Sequence, residues 1–428
     1  MEKVKILELL DSYYPIVDGA ISVVKNYSKE INKIAECDLA VPKSATSDRY
    51  TDNEEFEVYR CKSSAAPENY RLGHPDLDGK FIKIIKERKF NIFHAHSPFA
   101  MGKFAIKMGK KLKIPVILTL HTQYHQDFMR VTKSKVLTAL LVKMIMQVYN
   151  AADSVWTVSD ASKRILRQYG FKGNIEVVRN GTDYTYPENA DRLIDVINER
   201  HNLKEQKNVF VFVGRMAMYK NLKLLCDAIK ILKDKGKDFK MLFVGGGFDY
   251  DELVEYIRFL GIDDVCITTD EVRNRELLQG YYLRSDLLVF PSTFDMASIV
   301  KVEAAAHKCA GLLIKDSCSA ELVVDGDNGF LCEENAESLA AKLEELCDKP
   351  ELMKKAGERA YQTLYRNWQM VAEEVLEKYK KVLADYSRKQ ETKNRLKKFK
   401  AAAKRKKSAA SAKRKNTDKD EKIRAQIK

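Results

Sequence analysis

Nowhere in the 428 residues do eighteen uncharged apolar residues follow one another, so no membrane-spanning helix is expected. Cys-x-x-Cys is absent, and no histidine cluster accompanies the eight cysteines at positions 37, 61, 226, 266, 309, 318, 332 and 347. Reduced, partly buried thiols are therefore expected, not zinc ligands or disulfides. The opening Met1-Glu-Lys-Val-Lys-Ile-Leu-Glu-Leu-Leu-Asp lacks the apolar segment of a signal peptide, which points to a cytoplasmic protein. A complete dinucleotide fingerprint is missing too. Gly245-Gly-Gly247 follows a strand-like run without the spaced acidic partner, and a close strand-to-helix turn is expected there.

What the chain does have is charge, unevenly placed. Its formal net charge is +14. Residues 387–428 hold 18 lysines and arginines against 4 aspartates and glutamates, while the rest holds 57 of each sign. The body is neutral and the tail, with Lys397-Lys-Phe-Lys and Lys404-Arg-Lys-Lys, carries the whole excess. Too poor in apolar residues to form a core, this tail is expected to be a disordered or transiently helical arm. Such an arm suits polyanions, an anionic membrane surface ahead of nucleic acid, and a solubilising tail with no partner is the alternative.

A body of this length exceeds what one core usually serves. Buried-strand patterns alternate with helical ones twice over. The first series comprises Val4–Leu10, Phe90–His96, Pro115–His121 and Ser154–Ser159; the second opens at Val209 and continues through Met241–Gly247, Val265–Thr268, Leu287–Phe290 and Gly311–Ile314. This grammar predicts α/β architecture, two Rossmann-like doubly wound domains facing a central cleft, with ligands at the carboxyl ends of the strands. The boundary falls in the polar stretch from Tyr184 to Lys207. The expected organisation is an N-terminal domain over 1–190, a second over 191–365, a helix over 366–386 returning to the first, and the tail.

Candidate site residues stand at those strand ends. Val209-Phe-Val-Phe-Val ends at Gly214, and Arg215 and Lys220 follow as a helical pattern begins near Asn221, two cations suited to one anion pocket. Pro291 breaks the run Asp286–Phe290, and Asp295 and Glu303 follow, spaced as two turns of helix that could bracket one bound group. Gly19, after Pro15-Ile-Val-Asp18, opens a helix and lets backbone approach an anion. His121 ends its strand where an imidazole can reach the cleft. His94 and His96 are read as structural, facing opposite sides of their strand, which argues against joint metal binding.

In combination these residues are far more specific. Pro15-x-x-Asp-Gly19, His96-Ser-Pro, Leu120-His121-Thr, Val178-Arg-Asn-Gly-Thr-Asp183, Gly214-Arg215 with Lys220, Pro291-Ser with Asp295 and Glu303, and Asp325-Gly-Asp-Asn-Gly-Phe330 follow one another along the chain. Through them residues 1 to 385 resemble the family-4 retaining glycosyltransferases of the GT-B fold. The resemblance implies that Gly19 presents its amide to the distal phosphate, while Arg215 and Lys220 neutralise a diphosphate leaving group. Glu303 would accept hydrogen bonds from ribose hydroxyls and Asp295 would contact hydroxyls of the donor sugar. His121 would touch the sugar near its 6-position, and Ser298, Ile299 and Val272 would line the donor site. It also implies front-face transfer with retention and no cofactor or metal, the nucleotide sugar being a co-substrate. Aspartate at 295, followed by Met-Ala-Ser, departs from the family's usual Glu and Gly-Phe-Gly.

The segment His121–Arg130 is similar to the acceptor-side loop of bacterial diacylglycerol glucosyltransferases. A hexosyltransferase acting on a membrane lipid, peripheral at the inner face of the cell membrane, is the resulting expectation. A transferase with a soluble or cell-surface glycan acceptor, a phosphosugar epimerase and a nucleic-acid- or membrane-binding scaffold remain as alternatives.

Overall fold

The computed structural model describes residues 3–14, 19–44, 54–65 and 71–426; side chains are described up to residue 400, Phe399 excepted. Two parallel sheets with helices between their strands organise residues 1–376, which form one compact unit. The first sheet contains β1 (Lys5–Leu9), β2 (Glu36–Pro42) and β3 (Val58–Cys61). An antiparallel pair, β4 (Ser63–Ala65) and β5 (Arg71–Gly73), stands apart from it. The sheet is completed by β6 (Ile92–Ala95), β7 (Val116–Leu120), β8 (Ser154–Thr157) and β9 (Ile175–Val177), in the order β3-β2-β1-β6-β7-β8-β9. The second contains β10 (Val209–Val213), β11 (Lys240–Val244), β12 (Cys266–Thr269), β13 (Leu287–Phe290), β14 (Ala310–Ile314) and β15 (Phe330–Cys332), ordered β12-β11-β10-β13-β14-β15.

Helices cover both faces of such a sheet, so a central strand needs apolar side chains on both sides, and β-branched or aromatic ones fit the pleat. β10, Val-Phe-Val-Phe-Val, is buried throughout. Phe212 stacks on Phe290 of β13 at 5.6 Å between ring centroids, locking the two strands at the centre of the second core. Each such buried side chain stabilises the fold by about 1.5–3 kcal/mol.

Both sheets reverse their strand order beside the first strand, between β1 and β6 and between β10 and β13. A crevice opens at such a point beyond the carboxyl ends of the strands. Connections there are tight. Gly214 has φ +149° and Gly245 φ +136°, and a Cβ on Gly245 would lie 2.2 Å from the Gly214 carbonyl oxygen. A Cβ on Gly247 would lie 2.2 Å from that of Met216. These glycines therefore serve the packing of one turn on another, as the sequence suggested for Gly245–Gly247.

The chain returns to the first half at residues 366–368, where Thr182 donates to the Arg366 carbonyl at 2.9 Å and accepts from the Trp368 amide at 3.2 Å. A helix then runs Trp368–Gln426. Residues 377–428 form a second unit. The basic arm continues this helix as far as Gln426. All eight cysteines are free, seven of them buried. Among the described residues no helix is long and apolar enough to cross a membrane.

Candidate functional site

At the switch point of the first sheet, register brings ionisable groups together. β1 pairs with β6 so that Glu8 lies beside His94, and the His96 amide continues the ladder to the Leu9 carbonyl at 2.9 Å. Side chains two apart on a strand share a face. His94 and His96 accordingly lie side by side, ring centroids 4.2 Å apart, correcting the expectation that they face opposite ways; Ala95 is the residue that points away. Glu8 Oε2 is 3.2 Å from His94 Nδ1 and 2.6 Å from His96 Nε2. His96 Nδ1 is 2.8 Å from His121 Nε2 beyond the end of β7, and His94 Nε2 is 2.6 Å from the Thr119 hydroxyl.

Glu8, His94 and His96 offer a donor set that could hold a metal ion. Its spacing fits a hydrogen-bonded chain better. A first-row ion about 2.0–2.2 Å from each ligand in tetrahedral geometry would separate them by about 3.3 Å, whereas the shortest separation here is 2.6 Å. Burial pushes the Glu8 carboxyl up, but its interactions with His94 and His96 outweigh this and bring it to about 2. Burial lowers His96 to about 4 and holds His121 well below its ordinary value. Beyond β1, burial raises Asp11 to about 6 although it accepts from the Met101 amide at 2.9 Å and from the Ser97 hydroxyl. Gly19 begins the helix Gly19–Asn32, with open space where a Cβ would stand. Pro15–Asp18, the rest of that motif, lie outside the described residues.

At the second switch point Arg215 is exposed just past β10, and Lys220 closes a short 3-10 turn, Met218–Lys220. Lys220 Nζ lies 3.1 Å from Asp295 Oδ1, and the Ser292 hydroxyl donates to Asp295 Oδ2 at 2.6 Å. The helix carrying Glu303 is Ile299–Ala306, so Asp295 sits in the loop before it; the expected spacing of two helical turns between the carboxylates does not hold. Ser298 stands at the N-cap position of that helix without a side-chain capping hydrogen bond. Its buried hydroxyl has no hydrogen-bond partner among the described residues. Ile299 is half-buried in the first turn. Glu303 accepts from the Tyr282 hydroxyl at 2.7 Å; burial pushes its carboxyl up to about 7, with Asp183 raising it further and Arg275 opposing. Val272 follows β12, packed against the second core.

Contacts invisible to motif reading join the two edges. The Gln123 amide donates to the carbonyls of Phe294 and Thr293 at 2.8 and 3.3 Å, and the Ser159 hydroxyl donates to that of Met296 at 2.9 Å. The loop bearing Asp295 is thus held from the first half on both sides. Glu321 accepts from the Ala161 amide and from Arg179, each at 2.9 Å, and Arg130 lies over the Tyr219 ring at 5.3 Å. The only signal for Gln123 was its place in the segment starting at His121. Glu8 had none beyond being a charge inside an apolar run.

Two separate parallel α/β sheets whose carboxyl-end loops touch, with cations after β10 and a carboxylate on the helix after β13, define a nucleotide-sugar glycosyltransferase of GT-B architecture. Models of Glycosyltransferase Family 4 and of Glycosyl transferases group 1 match residues 17–186 and 194–363. The chain belongs to the family-4 retaining glycosyltransferases. It is 24% identical over 304 residues to an alpha-monoglucosyldiacylglycerol synthase of Streptococcus pneumoniae, covering 69% of this chain and 68% of that protein. To the synthase of the same name from Acholeplasma laidlawii it is 21% identical over 356 residues, 80% and 88% of the two chains. The fold is similar to that of Anabaena HepE, solved in complex with UDP-glucose, with a TM-score of 0.70, 16% identity, and 88% and 99% coverage.

Proposed function

We propose that the protein transfers a hexose, glucose in the first instance, from a UDP-sugar to a membrane lipid such as diacylglycerol. The donor side rests on one observation: Ser298 presents, at the start of the helix Ile299–Ala306, a buried hydroxyl with no partner among the described residues. An orphaned polar group at a helix N-terminus is suited to an anion. Arg215 and Lys220 supply the neutralising charge for the departing diphosphate, fixed donors of the kind that stabilise charge as it develops. Gly19 offers backbone to the distal phosphate, Glu303 holds the ribose, and Val272 and Ile299 flank the nucleotide. Asp295 and His121 meet the sugar, and the acceptor attacks on the face from which the diphosphate leaves. UDP-glucose is the first donor to test because the structurally similar HepE was solved with it.

The lipid acceptor is supported by the names of the two synthases and by a surface feature. Val131, Val136, Leu137, Leu140 and Met144 are all exposed on the helices Tyr124–Thr132 and Lys135–Ala151. Arg130, Lys133, Lys135 and Lys143 are exposed among them, and no acidic residue occurs between Asp127 and Asp153. Apolar side chains framed by cations suit an anionic bilayer surface, each cation adding roughly 1 kcal/mol. The basic arm adds a second attraction of the same sign.

The test is release of UDP from UDP-glucose with diacylglycerol in anionic vesicles, set against soluble oligosaccharides as acceptors. Glucosyldiacylglycerol of α configuration is the expected product. Release driven only by a soluble acceptor would remove the lipid; binding of UDP-glucose without turnover on any acceptor would favour the scaffold.

A further inference from the structure

The buried chain from Glu8 through His96 to His121 has only one self-consistent arrangement of protons. Glu8 is fully buried and stays ionised at neutral pH, since its carboxyl is brought down to about 2. A carboxylate only accepts hydrogen bonds. Each imidazole facing Glu8 Oε2 therefore points an N–H at it, His94 through Nδ1 and His96 through Nε2. His96 is neutral, so it carries one proton, already committed to Glu8, and its Nδ1 is a lone pair. The contact at 2.8 Å then has His121 Nε2–H as donor. His121 is neutral too, which leaves its Nδ1 as an acceptor.

Among the described residues His96 is the only hydrogen-bond partner of His121. His121 is half-buried at the carboxyl edge of β7, two residues before Gln123, whose amide reaches the Phe294 and Thr293 carbonyls beside Asp295. The unsatisfied nitrogen thus belongs to an imidazole standing at the cleft where the sugar is proposed to lie.

We propose that Glu8 and His96 are positioning residues that fix His121 with Nδ1 as an acceptor, so that the site selects a sugar presenting a hydroxyl to His121 over one presenting a carboxylate. A hydroxyl donates to the lone pair; a carboxylate has no proton to give and sets its own lone pairs against it. The inference rests on the reading that His121 meets the donor sugar, but the tautomer itself stands independently of that reading. Glu8 acts on selectivity through two imidazoles, with no contact to substrate.

Two measurements test it. The first is the 15N spectrum of histidine-labelled protein at pH 7 without ligand, with His121 assigned by its loss in His121→Asn. An unprotonated Nδ1 and a protonated Nε2 are expected; the reverse overturns the proposal. The second is kcat/KM for UDP-glucose and UDP-glucuronate. The intact protein is expected to prefer UDP-glucose by at least about a hundred-fold, since sites built around a specific hydrogen bond discriminate strongly. Glu8→Gln keeps an oxygen that can accept from His96 and should retain that ratio. Glu8→Met removes the acceptor, frees the tautomer, and should narrow the ratio by roughly ten-fold or more. Equal use of both donors by the intact protein, or an unchanged ratio in folded Glu8→Met, overturns the proposal. If Glu8→Met does not fold, the spectrum and the intact protein's donor preference decide alone. Failure to release UDP from either donor would count against the proposed function, leaving the spectrum to judge the tautomer.

Discussion

At the edge of the first sheet the buried ionisable groups satisfy one another: Glu8 with His94 and His96, His96 with His121, Asp11 with Ser97. At the edge of the second, the Ser298 hydroxyl has no partner among the described residues, and Glu303 is held near neutrality by burial. The contrast separates two ways of building one cleft. The first edge is organised before any ligand arrives, so damage there should appear as lost stability or altered selectivity. The second is left incomplete for a ligand to finish, so damage there should appear as lost binding and rate.

The largest expected effect tests the second edge. Lys220→Ala or Arg215→Ala should each lower turnover by about 10²–10³, the usual result of deleting one preorganised charge-stabilising group. Steady-state UDP release checks this, and activity within a few-fold of wild type in both would break the assignment. Glu303→Gln should weaken UDP itself by roughly 1.5–3 kcal/mol by calorimetry, the range for hydrogen bonds to a charged group. Asp295→Asn should leave UDP affinity nearly unchanged while impairing transfer. Equal loss in both variants would abolish the division between ribose and sugar.

The pH dependence sharpens the same point. Glu303 is raised to about 7, so below that pH it is largely protonated and accepts poorly from a ribose; affinity for UDP should rise as pH increases through 7 and level off above. Between pH 6 and 8 the gain should be up to about ten-fold, and absent in Glu303→Gln. Folding responds in the opposite sense. A carboxyl whose pKa is raised on folding favours the folded state at low pH, and that contribution is lost as pH climbs from the ordinary value of 4.5 to about 7. The smallest effect belongs to Ser298→Ala, which should weaken UDP by about 0.5–1.5 kcal/mol while leaving the melting temperature of the empty protein unchanged or higher, because it deletes a buried hydroxyl with no bond to lose. A lowered melting temperature would mean that the hydroxyl is satisfied after all.

The strands that could be read from sequence were those buried on both faces, such as β7 and β10, where an unbroken apolar run is the physical requirement. β2 escaped because Glu36 and Asp38 interrupt its pattern, although Lys5 pairs with Glu36 and Arg88 with Asp38. β9 and β15 have three residues each, too short for a period to register. In the site, cations placed just past β10 could be found because strand ends are fixed points of the fold. The pairing of Lys220 with Asp295 could not, since it joins residues from two separate turns. The histidines were misread over a matter of parity, and the corrected face is what put Glu8 at the head of a chain ending in the cleft.

Because Gly245 and Gly247 seat the turn after β11 directly on the backbone of Gly214 and Met216, those two turns behave as one replaceable part. A chimera that took the loop after β10 from one relative and the loop after β11 from another would need glycine at both contact points to close. Any side chain there would drive a carbon to 2.2 Å from a carbonyl oxygen, and the strain would fall on the turn that carries Arg215. Recombination in this half of the molecule therefore has a natural unit, running from β10 to the turn beyond β11.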